Sequence, residues 1–199
     1  MFKSTLPFVL LLASVPAATY ADGPAPELQL RTLFTASDEA HLKRHPLEAL
    51  FRGDPRYADQ FGDYISDAYF AAERNAARKD LAALARIDRA ALGAEDRVSY
   101  DVFGYQRRMR LEGLEPALLR TVSDRPIEHF FGAQSLIPEL SSGEGVAPFR
   151  TTADYDNNLK RLAGYIVYLD RAIGMKQGLA DGVTNPKVVM TNVVEQLVR

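Results

Sequence analysis

The sequence has 199 residues, 47% hydrophobic and 25% charged, which is enough for a substantial core and ordinary for a globular protein. Its 24 Lys and Arg are interleaved with 26 Asp and Glu, and the net charge of -2 excludes the basic field that nucleic acid or an anionic lipid surface requires. With no cysteine, disulfides, thiol catalysis and cysteine-based zinc or iron–sulfur sites are excluded too.

The first 21 residues have the layout of a secretory signal: Lys3, then an apolar run from Leu6 to Val15, then small residues at Thr19 and Ala21. Cleavage is expected after Ala21, with a periplasmic or secreted product. The run of about ten residues is half of what a bilayer core needs, so no stable membrane span is expected after cleavage. No cysteine follows Ala21 to carry a lipid anchor, and the mature chain has 23 basic and 26 acidic residues.

Residues 22–27 read as a flexible leader, and 28–199 as one helical domain, the N-terminal part of a larger one. From Leu28 a helical pattern runs through Leu30, Leu33, Phe34 and Leu42, with Ser37-Asp38-Glu39 as an internal cap. Pro46 biases His45 away from helical angles and predicts a break there. A short helix over Leu47–Phe51 leads to the loop signal Gly53-Asp54-Pro55, and Asp59–Tyr64 reads as irregular. Ser66–Leu92 predicts a long Ala- and Arg-rich helix with Phe70, Ala77, Leu81, Leu84 and Ile87 toward a core. Gly93 ends it, and a second helix carries Val98, Val102, Tyr105 and Met109 to Gly113, making an antiparallel hairpin. Pro116 allows a brief helix to Leu119.

Between Thr121 and Arg150 the breakers Pro126, Gly132, Pro138, Gly143, Gly145 and Pro148 predict one long irregular region that crosses the surface or lines a cleft. Thr152–Gly178 predicts the organising helix. Tyr155, Leu159, Leu162, Ile166, Leu169 and Ile173 recur at steps of 4 and 3, forming a stripe that the earlier helices should cover. Asp156, Asn157, Asn158, Lys160, Arg161, Asp170 and Arg171 read as its solvated back. Gly178–Gly182 is a stop, and Asn185-Pro186 starts a last helix, Asn as cap and Pro first. That helix carries Val188, Val189, Val193, Val194, Leu197 and Val198 with no stop signal, and two readings stand: it continues and packs on something, or it frays. The fold class is all-α, an antiparallel helical bundle that reads as incomplete at its C-terminus.

Few residues suggest chemistry. His41 and His45 in HLKRH stand at i and i+4 with Glu48 a turn later, a spacing that can ligate a divalent metal. Pro46 is expected to disrupt that alignment, and HLKRH lacks the glutamate of a zincin, so coincidence on a charged helix is the preferred reading. His129 in RPIEHFFG has Glu128 and two phenylalanines beside it; a packed structural histidine is preferred over a general base. Ser135, Ser141 and Ser142 lack a GxSxG setting, and Ser141–Gly145 reads as a mobile loop rather than a phosphate cradle. Asp54, Asp59, Asp63 and Asp67 do not follow EF-hand spacing, and Tyr165 and Tyr168 read as packing residues. No catalytic, cofactor-binding or metal-ligating role is assigned to any residue, and no cofactor is expected in this chain.

Three stretches together, DLAALARIDRAALGAEDRVSYDVF, FRTTADYDNNLKRLAGYIVYLDRAI and NPKVVMTNVVEQLV, resemble the N-terminal half of the bacterial "domain of unknown function 885" family. The resemblance spans about Phe34 to Arg199 and rests on Asp88, Leu92, Asp154-Tyr155, Arg161-Leu162 and Pro186. It implies an exported, zinc-peptidase-like helical protein whose catalytic segment, His-Glu-Ala-x-Pro-Gly-His-His, lies much later in a longer chain. No such segment occurs here, so no ligand or catalytic glutamate is carried over. The chain therefore reads as the N-terminal part of a metallopeptidase-like hydrolase, a fragment or truncated frame that is inactive alone. Its implied partner is the missing catalytic half or another helical protein, with a peptide substrate for the whole. The alternative is a complete small periplasmic helical binding protein.

Overall fold

The computed structural model describes residues 24–123, 127, 129–130, 132–174 and 177–198, and every regular element among them is helical. The expected signal segment and its cleavage point lie outside the described residues, as do Pro126, Glu128 and Arg199. Helix α1 (Pro26–Arg44) begins two residues before the expected Leu28, with Pro26 in the first turn, where a missing N–H costs nothing. Ser37 is not a cap. It is buried in mid-helix, and its hydroxyl donates to Asp80 at 2.6 Å. After His45 the chain turns into α2 (Pro46–Phe51), and a single 3₁₀ turn at Pro55–Tyr57 is capped by Asp54.

Helix α3 (Asp67–Leu84) starts at Ser66, whose hydroxyl accepts from the Tyr69 N–H at 3.0 Å. It ends eight residues before the expected Leu92. Ile87 and Leu92 both turn inward to join Leu30, Leu84 and Phe103, and Asp88 caps the intervening 3₁₀ turn through the Ala90 N–H. Helix α4 (Ala94–Gly113) then runs back along α3. The pairs Glu73–Arg110, Asp80–Arg107 and Leu84–Gly104 descend in one helix as they rise in the other, so the hairpin is antiparallel as expected. Phe103 and Gly104 are buried, while Val98, Val102, Tyr105 and Met109 face outward.

A short helix, α5 (Pro116–Ser123), precedes the stretch that breakers had marked as irregular throughout. That expectation needs correcting, because α6 (Ala133–Leu140) lies inside it. Gly132 begins it and Pro138 sits in the last turn, where one backbone bond is lost but Ile137 and Leu140 are buried. Gly143 and Gly145, at φ of 79° and 63°, make the turns that follow.

Helix α7 (Thr152–Gly174) is followed by the single turn α8 (Gln177–Ala180) and by α9 (Lys187–Leu197). At the start of α9 it is Pro186 that takes the cap position; the Asn185 amide instead donates to the Ile127 carbonyl at 2.7 Å. α7 is where the sequence reading fails most. Its buried positions are Asn158, Arg161, Tyr168 and Ala172, with Tyr165 half-buried. Each stands one residue before a member of the expected stripe, so the helix is rotated about 100° from the apolar reading. Leu162 and Leu169 flank the core, and Tyr155, Leu159, Ile166 and Ile173 are exposed.

Polar contacts and one close approach account for that register. The Arg161 guanidinium donates to the carbonyls of Ala58 and Leu140 and to Asn158 Oδ1, and Asn158 accepts from the Ser141 hydroxyl at 3.1 Å. Gly164 lets Phe61 approach until a Cβ there would lie 2.9 Å from the Phe61 Cβ. Phe61, from the expected irregular segment, is 3% exposed and sits among Tyr64, Tyr165 and Tyr168 at ring separations of 5.4–5.8 Å. Among the described residues the core is thus in two clusters. One joins α1, α3, the 3₁₀ turn and α4; the other joins α2, Phe61, α6 and α7.

Candidate functional site at the α1–α2 bend

His45 closes α1 and opens α2. Its N–H still donates to the His41 carbonyl at 2.9 Å, so the turn from 41 to 45 is intact. Pro46 restricts the ψ of His45, which is 64°, and leaves the hydrogen bond that His45 donates backwards untouched. The expectation that Pro46 would disrupt the pair is therefore overturned. The bend folds α2 back, and Glu48 in its first turn returns to α1.

The result is a compact group. The His41 and His45 rings stack with centroids 4.1 Å apart, and His41 Nε2 lies 2.7 Å from Glu48 Oε2. One ring nitrogen of each histidine and one Glu48 carboxylate oxygen lie within 4.8 Å of one another. The other Glu48 oxygen takes Arg52, which also donates to Asp38 at 2.8 Å. Burial would raise the Glu48 carboxyl, but hydrogen bonds from His41 and Arg52 outweigh it and hold it low.

Behind His45 stands Glu73, whose side chain is 5% exposed. Its Oε1 accepts from Arg44 at 2.5 Å and faces His45 Nε2 at 3.3 Å; its Oε2 accepts from Arg110 at 2.8 Å. Burial alone would raise this carboxyl. The hydrogen bonds from His45, Arg44 and Arg110 prevail and push it well below the carboxylate range. The sequence reading missed Glu73, although the signal was present. Glu73 and Asp80 lie on the same stripe as Phe70, Ala77 and Leu84, which places two acids on the buried face of α3.

A pocket of about 350 Å³ opens beside the group, lined by His45, Glu48, Phe61, Tyr64, Leu136 and Tyr168. Burial pushes the Tyr64 hydroxyl upward and that of Tyr168 up to about 12, so both stay protonated. A larger pocket of about 530 Å³ lies on the far side of α2, but the Arg161 guanidinium in its wall is engaged with backbone carbonyls and no donor set converges there.

The other candidate residues stay apart. His129 packs against Phe130 at 4.0 Å with a buried Nδ1 that has no hydrogen-bond partner among the described residues, and its carbonyl accepts from Gln196. Ser142 is bound to the Glu139 carbonyl, and Ser141 to Asn158. Asp54 pairs with Arg56, Asp59 with Lys160 and Asp63 with Arg171.

A family model described as "Bacterial protein of unknown function (DUF885)" matches residues 46–199. The chain belongs to this family. The match starts at Pro46, later than the expected Phe34, so Glu48 lies inside the family segment while His41 and His45 lie before it. Nothing matches among curated proteins, and no solved structure matches. Among the described residues no helix is long and apolar enough to cross a membrane.

Proposed function

We propose that this DUF885 chain is the exported, helical N-terminal region of a metallopeptidase-like hydrolase, acting as a scaffold for a catalytic region that handles a peptide substrate. The resemblance to zinc-peptidase-like relatives supplies the reaction class. The zinc it implies belongs to a His-Glu-Ala-x-Pro-Gly-His-His segment that this sequence does not contain, and HLKRH does not match it, so none of this chain's residues takes a catalytic step. The observation that carries the reading is the outward face of α7. Leu159, Ile166 and Ile173 are 59–67% exposed, with Val188, Val194 and Leu197 exposed on α9. Aliphatic rows on helices that are otherwise packed are a common mark of an interface.

The test is to read the DNA beyond the codon for Arg199 and co-express what it encodes. A frame carrying His-Glu-x-x-His, whose product binds this chain and loses it on Leu159→Glu or Ile166→Glu, is expected. Unrelated downstream sequence, together with a stable monomer that binds no hydrophobic dye, would overturn the proposal in favour of a small periplasmic helical binding protein. For export, N-terminal sequencing of the periplasmic protein is expected to begin at Asp22; a cytoplasmic product starting at Met1 would refute it.

A further inference from the structure

We propose that His41, His45 and Glu48 bind one divalent transition-metal ion, with zinc best suited to the donor set. The site stands apart from the hydrolase reading and from the family, since two of the three donors precede the matched segment.

Two imidazoles and a carboxylate suit zinc, which takes nitrogen and oxygen ligands at about 2.0–2.2 Å. Such bonds set tetrahedral ligand atoms about 3.4 Å apart. The donors here are all within 4.8 Å, with one pair already at 2.7 Å, and rotation of the partly exposed Glu48 and His41 side chains closes the difference. An ion pair would need only His41 and Glu48. The second imidazole is what a cation site adds, and it is held from behind.

The His45 Nε2 faces the anchored Glu73 carboxylate at 3.3 Å, which favours a hydrogen on Nε2 and leaves Nδ1 as the lone-pair donor. A carboxylate behind a ligating histidine is the usual support of a metal site, fixing tautomer and ring orientation. Coordination through His41 Nε2 requires its hydrogen on Nδ1. Three protein ligands leave a fourth position for water, on the side where the 350 Å³ pocket is lined by His45 and Glu48. Around the site, Arg44, Arg52 and Arg110 balance Asp38, Glu48 and Glu73, so no net negative field adds to the coordinate bonds. The expected Kd is then on the order of micromolar.

The test is titration of the tag-free, chelator-treated chain with zinc chloride by calorimetry, with cobalt(II) absorption as a report of ligand geometry. One zinc per chain is expected, with visible cobalt bands of a low-coordinate site. His41→Ala and Glu48→Gln should each weaken binding by about tenfold or more, while His129→Ala leaves it unchanged. Circular dichroism verifies each fold, and Glu48→Gln, an isosteric change at a partly exposed side chain, decides the matter if His41→Ala loses helicity. No zinc heat at micromolar protein, or binding that survives both substitutions unaltered, overturns the proposal.

Discussion

Gly164→Ala sets two opposing effects against each other in the middle of α7. Alanine is favoured over glycine in a helix interior by about 0.5–1 kcal/mol, so the change stabilises wherever space permits. At Gly164 space does not permit it, because the new methyl would lie 2.9 Å from the Phe61 Cβ, well inside ordinary contact. Phe61 is 3% exposed and enclosed by three tyrosine rings, so it has no free direction in which to yield. Overpacking of this kind costs about 1–3 kcal/mol, which cancels the gain at the least and at the most leaves a net loss of about 2.5 kcal/mol. Gly113→Ala is the control: it ends α4, with nothing within 4 Å of an added Cβ, and should gain a few tenths of a kcal/mol, up to about 1. Urea unfolding followed by far-UV circular dichroism reads both. If Gly164→Ala stabilises as much as Gly113→Ala, Phe61 is not packed on α7 and the register of the second cluster is wrong.

The inverted face of α7 predicts that Leu159→Ser and Ile166→Ser change stability by no more than about 0.5 kcal/mol, whereas Tyr168→Ala costs about 3 kcal/mol; equal losses in urea melts would restore the apolar stripe as core. Arg161→Met leaves the Ala58 and Leu140 carbonyls without their guanidinium donor and the Asn158 amide oxygen with Ser141 alone, at a cost of about 2–4 kcal/mol in the same assay. Glu73 makes stability depend on acid. Its folded-state carboxyl lies below its ordinary value of 4.5, so the contribution is complete above that value and is lost as pH falls below it. Glu73→Gln should lower stability at neutral pH by about 2–3 kcal/mol and flatten the slope between about pH 5 and pH 3. An unchanged slope would show that the ion cluster is not formed.

The all-α class, the α3–α4 hairpin and the limits of α2 follow from local signals: helix formers, the Gly93 connection and the proline at 46. The register of α7 was not readable in the same way. Amphipathic patterns weigh side-chain hydrophobicity, and the inward face here is chosen by an arginine and an asparagine whose partners lie in remote segments at Ala58, Leu140 and Ser141. Helix α6 was hidden by composition, since Pro138 falls where a helix can spare one bond. At the site, the spacing of His41, His45 and Glu48 was visible. That the proline at 46 assembles the three was not, because the effect depends on the direction in which the chain leaves His45.

The division of the core into two clusters also orders the assembly of the molecule. The cluster of Leu30, Leu84, Ile87, Leu92 and Phe103 is built mostly around the short α3–α4 connection, where little loop-closure entropy opposes contact. The other must bring Leu47, Leu50 and Phe61 to Ile137, Leu140 and Tyr168 across the whole intervening hairpin. Nucleation is therefore expected in α1, α3 and α4, with docking of α6 and α7 onto α2 as the later step. The bend at His45 is the hinge of that late step. Because Arg44 and His45 both reach Glu73 on α3, the α1–α3 pair holds one side of the bend independently of the second cluster.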